Sequence, residues 1–111
     1  MDGNARIKST MLGYEDHGIL TCFLNLEQNG TGQGFGGYRL DAPKGYSKFT
    51  DLWVKQILKV VGVEKWESLE GKYIRVKGKA FGSIEGIGHI TDDKWFFPKE
   101  EIAKEVGQSE E

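Results

Sequence analysis

His17 and His89 are the residues of this chain best suited to acid–base or metal chemistry. Glu15, Asp16, Asp41, Asp92 and Asp93 are the carboxylates that fall in turn-like segments near them. Two imidazoles and one carboxylate can hold a divalent transition metal. The spacing gives that idea little support, because no H-x-H or H-x-x-x-H pair sets two ring nitrogens on one face. Cys22 lies mid-strand on an apolar face, where burial raises a thiol pKa and removes its nucleophilicity. No serine sits in a nucleophile elbow. The residues point away from catalysis, toward no metal and no cofactor. What remains of an enzyme is a small metal-dependent hydrolase or nuclease using His17, His89 and nearby carboxylates.

Gly32-Gln33-Gly34-Phe35-Gly36-Gly37 matches G-x-G-x-x-G. A dinucleotide fingerprint needs strand, turn, then helix, because the helix N-terminus receives the pyrophosphate. Here the run leads into a strand, so that chemistry does not follow. The simplest expectation is a wide, flexible hairpin with close backbone approach or a bulge. Five glycines in residues 30–37 also strip side chains from one strand and let a partner reach its backbone. The candidate partner-binding residues are therefore Gly34, Phe35, Gly36, Gly37, Tyr38 and Arg39, with Phe35 and Tyr38 as exposed aromatic contacts.

A second candidate surface is the strand at 72–81. Its outward parity carries Tyr73, Arg75, Lys77, Lys79 and Phe81. Cations follow phosphates and aromatic rings stack on bases, which is how single-strand binders work. A solvated strand face, or an edge guarded by lysines, would look the same. The acids at 92–93 and 100–105 oppose an open basic groove.

The elements that must position these residues are short. Residues 6–12 read as a strand with Ile7 and Met11 on one face. Residues 19–27 alternate clearly, with Leu20, Cys22, Leu24 and Leu26 inward. Asn29-Gly30 marks a hairpin, and Gly34–Asp41 is the return strand. A helix follows, capped by Ser47 or Thr50. Trp53, Val54, Ile57, Leu58, Val60 and Val61 form its apolar stripe. Asp51, Lys55 and Lys59 line the opposite side, and Gly62 ends it. Strands over 72–81 and 83–91 come next, the latter with a bulge at Gly86 or Gly88. Trp95, Phe96 and Phe97 pack onto the body, and Pro98 opens a short C-terminal helix. The order βββ-α-ββ predicts one α+β domain over residues 1–111, an antiparallel sheet with one main helix packed on it, and a frayed tail at 107–111.

Composition sets outer limits. The chain has 111 residues, 38% of them hydrophobic, which suits one modest core. No apolar run approaches the ~20 residues of a bilayer span, and the N-terminus has no apolar signal region. A single cysteine fits a reducing compartment. The net charge of −2 is uneven: residues 47–79 are basic and residues 80–111 acidic. The two segments are expected to pack side by side and neutralise each other.

Four stretches, STMLGYEDHGILTCFLNLE, GQGFGGYRLD, VVGVEKWESLEGKYIRVK and IEGIGHITDDKWFFP, resemble a family of small proteins that recur in tailed-phage and prophage genomes. They cover most of residues 9–98. The resemblance implies a phage-encoded accessory protein in the bacterial host cytoplasm and no catalytic residue. Small phage proteins often bind and block host factors, including defence systems; that is analogy of genome context. The expected function is thus non-enzymatic binding, and possible inhibition, of a host or phage protein. The alternative is nucleic-acid or nucleotide binding by Tyr73, Arg75, Lys77 and Lys79. No membrane partner is expected, and a homo-oligomer is compatible with either.

Overall fold

The computed structural model describes residues 3–39, 49–78 and 84–101. Local chain chemistry fixes its hairpins. Asn29 and Gly30 both have positive φ, 53° and 79°, as a two-residue primed turn requires. Pairing therefore resumes at once, with Gln28 opposite Thr31. The glycine run is an arm of the expected hairpin, with a bulge and close backbone approach, but its turn is tight and not wide. β1 (Gly3–Tyr14), β2 (Leu20–Gln28) and β3 (Thr31–Arg39) form an antiparallel meander. β3 starts earlier than the expected Gly34, because a two-residue turn leaves no slack.

α1 (Phe49–Val61) follows. Thr50 lies inside it and is not its cap; Ser47 falls outside the described residues. Gly62 ends the helix at φ +87°, with its N–H and that of Val63 both donating to the Leu58 carbonyl, at 2.9 and 3.1 Å. A 3₁₀ turn at Trp66–Ser68 leads to β4 (Tyr73–Gly78), β5 (Ile84–Gly88) and β6 (Trp95–Phe96). The two-residue β6 adds a strand to the expected set. Pro98 begins a helical turn over 98–101, with the Glu100 and Glu101 N–H groups donating to the Phe97 carbonyl. The tail expected to fray lies outside the described residues.

All six strands join one antiparallel sheet in the order β3-β2-β1-β4-β5-β6. The α+β class is as expected. The fourth strand returns beside the first, which is a Greek-key connection. The sheet curls around α1 until Phe35 of β3 meets Phe96 of β6. Phe35 stacks on Trp53 of α1 (5.7 Å, 16°), and Phe96 lies edge-on to both, at 6.3 and 5.3 Å. All three rings are buried.

The inward face of β2 is as its alternation predicts: Cys22, Leu24 and Leu26 are buried. Ile57, Val61, Ile74 and Val76 are also buried, whereas Leu20 and Leu58 are only partly covered. β1 departs from simple alternation. A bulge between Ile7 and Ser9 adds a residue and shifts the parity beyond it. Ile7 is therefore buried opposite Leu26, while Met11 lies opposite Phe23 on the outer face and does not share the side of Ile7. In β4–β5 the irregularity falls between Lys77 and Gly78, with Glu85 as the extra residue beside Gly86.

Phe35→Ala should lower the free energy of unfolding by about 3–5 kcal/mol, because it empties the centre of the aromatic cluster. Chemical denaturation measures this, and a loss below about 0.5 kcal/mol would show that the ring does not close the curl.

Candidate nucleic-acid interface

The β1–β4 pairing decides what shares the outer face. Asn4, Arg6 and Lys8 alternate with buried Ala5 and Ile7. On β4, Tyr73, Arg75 and Lys77 alternate with buried Ile74 and Val76. The register sets Arg6 opposite Tyr73 and Asn4 opposite Arg75. Residues directly opposite point to the same side of a sheet. The outer face thus carries a strip of four cations, Lys77, Arg75, Arg6 and Lys8, interleaved with aromatic rings. Tyr73 is 61% exposed at its centre. Glu27, opposite Arg6, forms a 3.8 Å ion pair with it. That pair is largely exposed, so it contributes little to stability.

Trp95 extends the strip across β5. A Cβ at Gly88 would lie 2.6 Å from the Trp95 ring, and one at Gly86 would lie 2.5 Å from Phe97. Glycine at both positions lets the two rings lie on the strand backbone, stacked 6.0 Å apart at 25°. The Arg75 guanidinium carbon is 4.7 Å from the Trp95 ring centroid and Lys77 Nζ is 4.3 Å from it, both within cation–π range. Arg75 is committed further. Its Nε donates to the His89 carbonyl (2.7 Å) and its Nη2 to that of Asp92 (2.6 Å). It is therefore a clamp on the β5–β6 turn, and not the free phosphate contact that strand parity alone suggests. Lys77 and Lys8 are exposed. Lys79 and Phe81 lie outside the described residues.

The glycine-hairpin surface divides. Phe35 is buried against Trp53 and is not an exposed contact. The β2–β3 register explains why: Phe35 sits opposite inward-facing Leu24. Gly36 has φ +109°, and its Cβ would lie 2.5 Å from the Cys22 carbonyl oxygen and 3.0 Å from Trp53. The fold itself requires that glycine, at a bulge between Cys22 and Phe23. Gly37 follows in β3, and Tyr38 and Arg39 pair with Cys22 and Thr21. Gly34 and Gly32 differ: nothing lies within 4 Å of where their Cβ atoms would be. They border an open groove of about 410 Å³ whose other side carries Lys8 and Asn25. The Asn25 Nδ2 donates to Ser9 Oγ at 2.8 Å.

Each histidine bonds within its own turn. His89 Nδ1 accepts from the Thr91 and Asp92 backbone N–H groups (3.2 and 2.9 Å) and so shapes the β5–β6 turn. Glu15 accepts the His17 and Ile19 N–H groups, at 2.7 and 3.4 Å, and contacts His17 Nδ1 at 3.1 Å. The His17 side chain, chiefly, holds the Glu15 carboxyl below its ordinary range. Burial pushes the Cys22 thiol up to about 12, only partly offset by a hydrogen bond with Trp53. Among the described residues, no three His, Cys, Asp or Glu side chains gather as a metal site. No helix among them is long and apolar enough to cross a membrane.

Sequence reasoning missed Asn4, Arg6, Lys8 and Trp95. The alternation of residues 4–8 was a usable signal for the first three, but their neighbour on β4 was not. No protein-family model, curated protein or solved structure matches the chain.

The glycines give a paired prediction. Gly36→Ala should destabilise the fold by more than about 1 kcal/mol, from positive-φ strain and backbone collision. Gly34→Ala should leave the thermal midpoint unchanged or raise it slightly. Equal midpoints for the two variants would contradict the β2–β3 register.

Proposed function

We propose that this protein is a non-catalytic nucleic-acid-binding protein, and that the outer strip of β1, β4 and β6 is its binding face. One observation carries this: the β1–β4 register unites Arg6 and Lys8 with Tyr73, Arg75, Lys77 and Trp95. Cations alternating with ring faces complement a chain of alternating phosphates and bases. Arg75 fixes Trp95 in place, Lys77 lies on the same ring, and exposed Lys8 adds a further cation. The net charge of −2 does not oppose this, because the field that a ligand meets is local.

The Greek-key order, with a helix between the third and fourth strands, has the connectivity of oligonucleotide- and oligosaccharide-binding barrels, whose ligand face lies on strands 2 and 3 and not on this strip. Shared connectivity does not assign a ligand, so the face and not the fold bears the weight. A phage accessory role in the host cytoplasm is consistent with such a protein.

A second reading, binding of a host or phage protein, is favoured by one feature. Gly32 and Gly34 leave bare, open backbone beside Lys8 and Asn25, where an extended polypeptide could lie.

Fluorescence anisotropy of a labelled single-stranded oligothymidylate separates the two. Binding at low salt should weaken steeply as salt rises, because phosphate contacts release counterions. The double change Lys8→Glu and Lys77→Glu should weaken it by about tenfold or more while leaving the thermal midpoint nearly unchanged. Absence of binding at low salt to DNA and RNA strands alike would overturn the nucleic-acid reading. A protein retained from phage-infected cells by the parent, and lost with Gly34→Arg, would then support the second.

A further inference from the structure

A shallow, open pocket of about 160 Å³ lies beside Trp95, between the start of β1 and the outer face of β4. Gly3, Asn4, Val76 and Trp95 line it, with Arg75 and Lys77 at its side. Resting on the nucleic-acid reading above, we infer that this cavity takes one unpaired nucleobase, and that the protein therefore selects single strands over duplex.

The cavity is small. It is well below the room that a drug-sized ligand needs. One flat heterocycle is the ligand class of that size that a nucleic-acid chain offers. The walls suit it: indole carbon, the Val76 strand, and a backbone that carries no side chain at Gly3.

The wall is also preorganised. Trp95 cannot sink, because it already rests on Gly88. It cannot slide away freely, because Phe97 stacks beside it at 6.0 Å and Arg75 lies within 4.7 Å of its ring. Arg75 is held in turn by the His89 and Asp92 carbonyls. A base entering such a site orders few side chains, so little of its contact energy is lost to entropy. The phosphate next to that base meets the Lys77 ammonium at the mouth.

The geometry excludes a paired base. In duplex nucleic acid each base is covered by its neighbours above and below, and entry would require unstacking and unpairing it. A duplex can meet the outer cations but cannot fill the cavity.

Competition against a labelled oligothymidylate tests this with three unlabelled strands of equal length: oligothymidylate, a fully abasic strand and a duplex. Oligothymidylate should compete about tenfold or more better than either of the others. Trp95→Leu should bring its affinity down to that of the abasic strand. Asn4→Trp should do the same by filling the cavity from an exposed strand position outside the core, so the result does not depend on how Trp95→Leu folds. If the abasic strand competes as well as oligothymidylate, or if Asn4→Trp keeps the full preference for bases, the base site is wrong while strip binding stands. If neither labelled oligothymidylate nor a labelled RNA strand binds at low salt, the proposed function itself fails.

Discussion

The rest of the molecule depends on three buried rings. Phe35, Trp53 and Phe96 come from β3, α1 and β6, elements far apart in sequence, and each touches the other two. Stacked and edge-on aromatic pairs contribute about 0.5–1.5 kcal/mol beyond their buried area. More important is what the contact imposes on shape. It draws the two ends of a six-stranded sheet toward one helix, so that inner side chains have no exit and the outer side chains form a curved exterior. The glycine at position 36 belongs to the same constraint: a side chain there would strike β2 and Trp53 together.

The exterior repeats the device in another form. β5 is narrow because Gly86 and Gly88 carry no side chains, and Phe97 and Trp95 lie in the vacated space. A ring on a bare strand stays in reach of solvent while gaining contact with the backbone. Arg75 and Lys77 then meet the Trp95 ring from the next strand. One tryptophan is thus both a cover for the sheet and the anchor of a charged face. Cys22 is buried, and His17 and His89 make bonds that shape their own turns.

Much of the fold was legible because it is set by local chemistry. Asn29-Gly30, the alternation of β2, the stripe of α1 and the Gly62 stop each announce themselves within a few residues. The parts that were not legible depend on pairing. The bulge after Ile7 is invisible without β2, so local alternation alone puts Met11 on the wrong side of β1. Phe35 looked like a surface ring because its neighbours are glycines, yet its register opposite Leu24 buries it. The basic face was visible only in its β4 half. Arg6 and Lys8 join it through a strand pairing of high sequence separation that no local pattern encodes. Arg75 looked like a free cation because its two carbonyl acceptors lie more than ten residues away.

The central claim is that one register assembles one binding strip. It is tested most directly by following backbone amide and indole N–H signals by NMR while an oligothymidylate is added at low salt. The account predicts shifts concentrated at Arg6, Lys8, Tyr73 and Lys77 and at the Trp95 indole, with the Trp53 indole unmoved. Shifts confined to other faces of the sheet, with the strip silent, would contradict it.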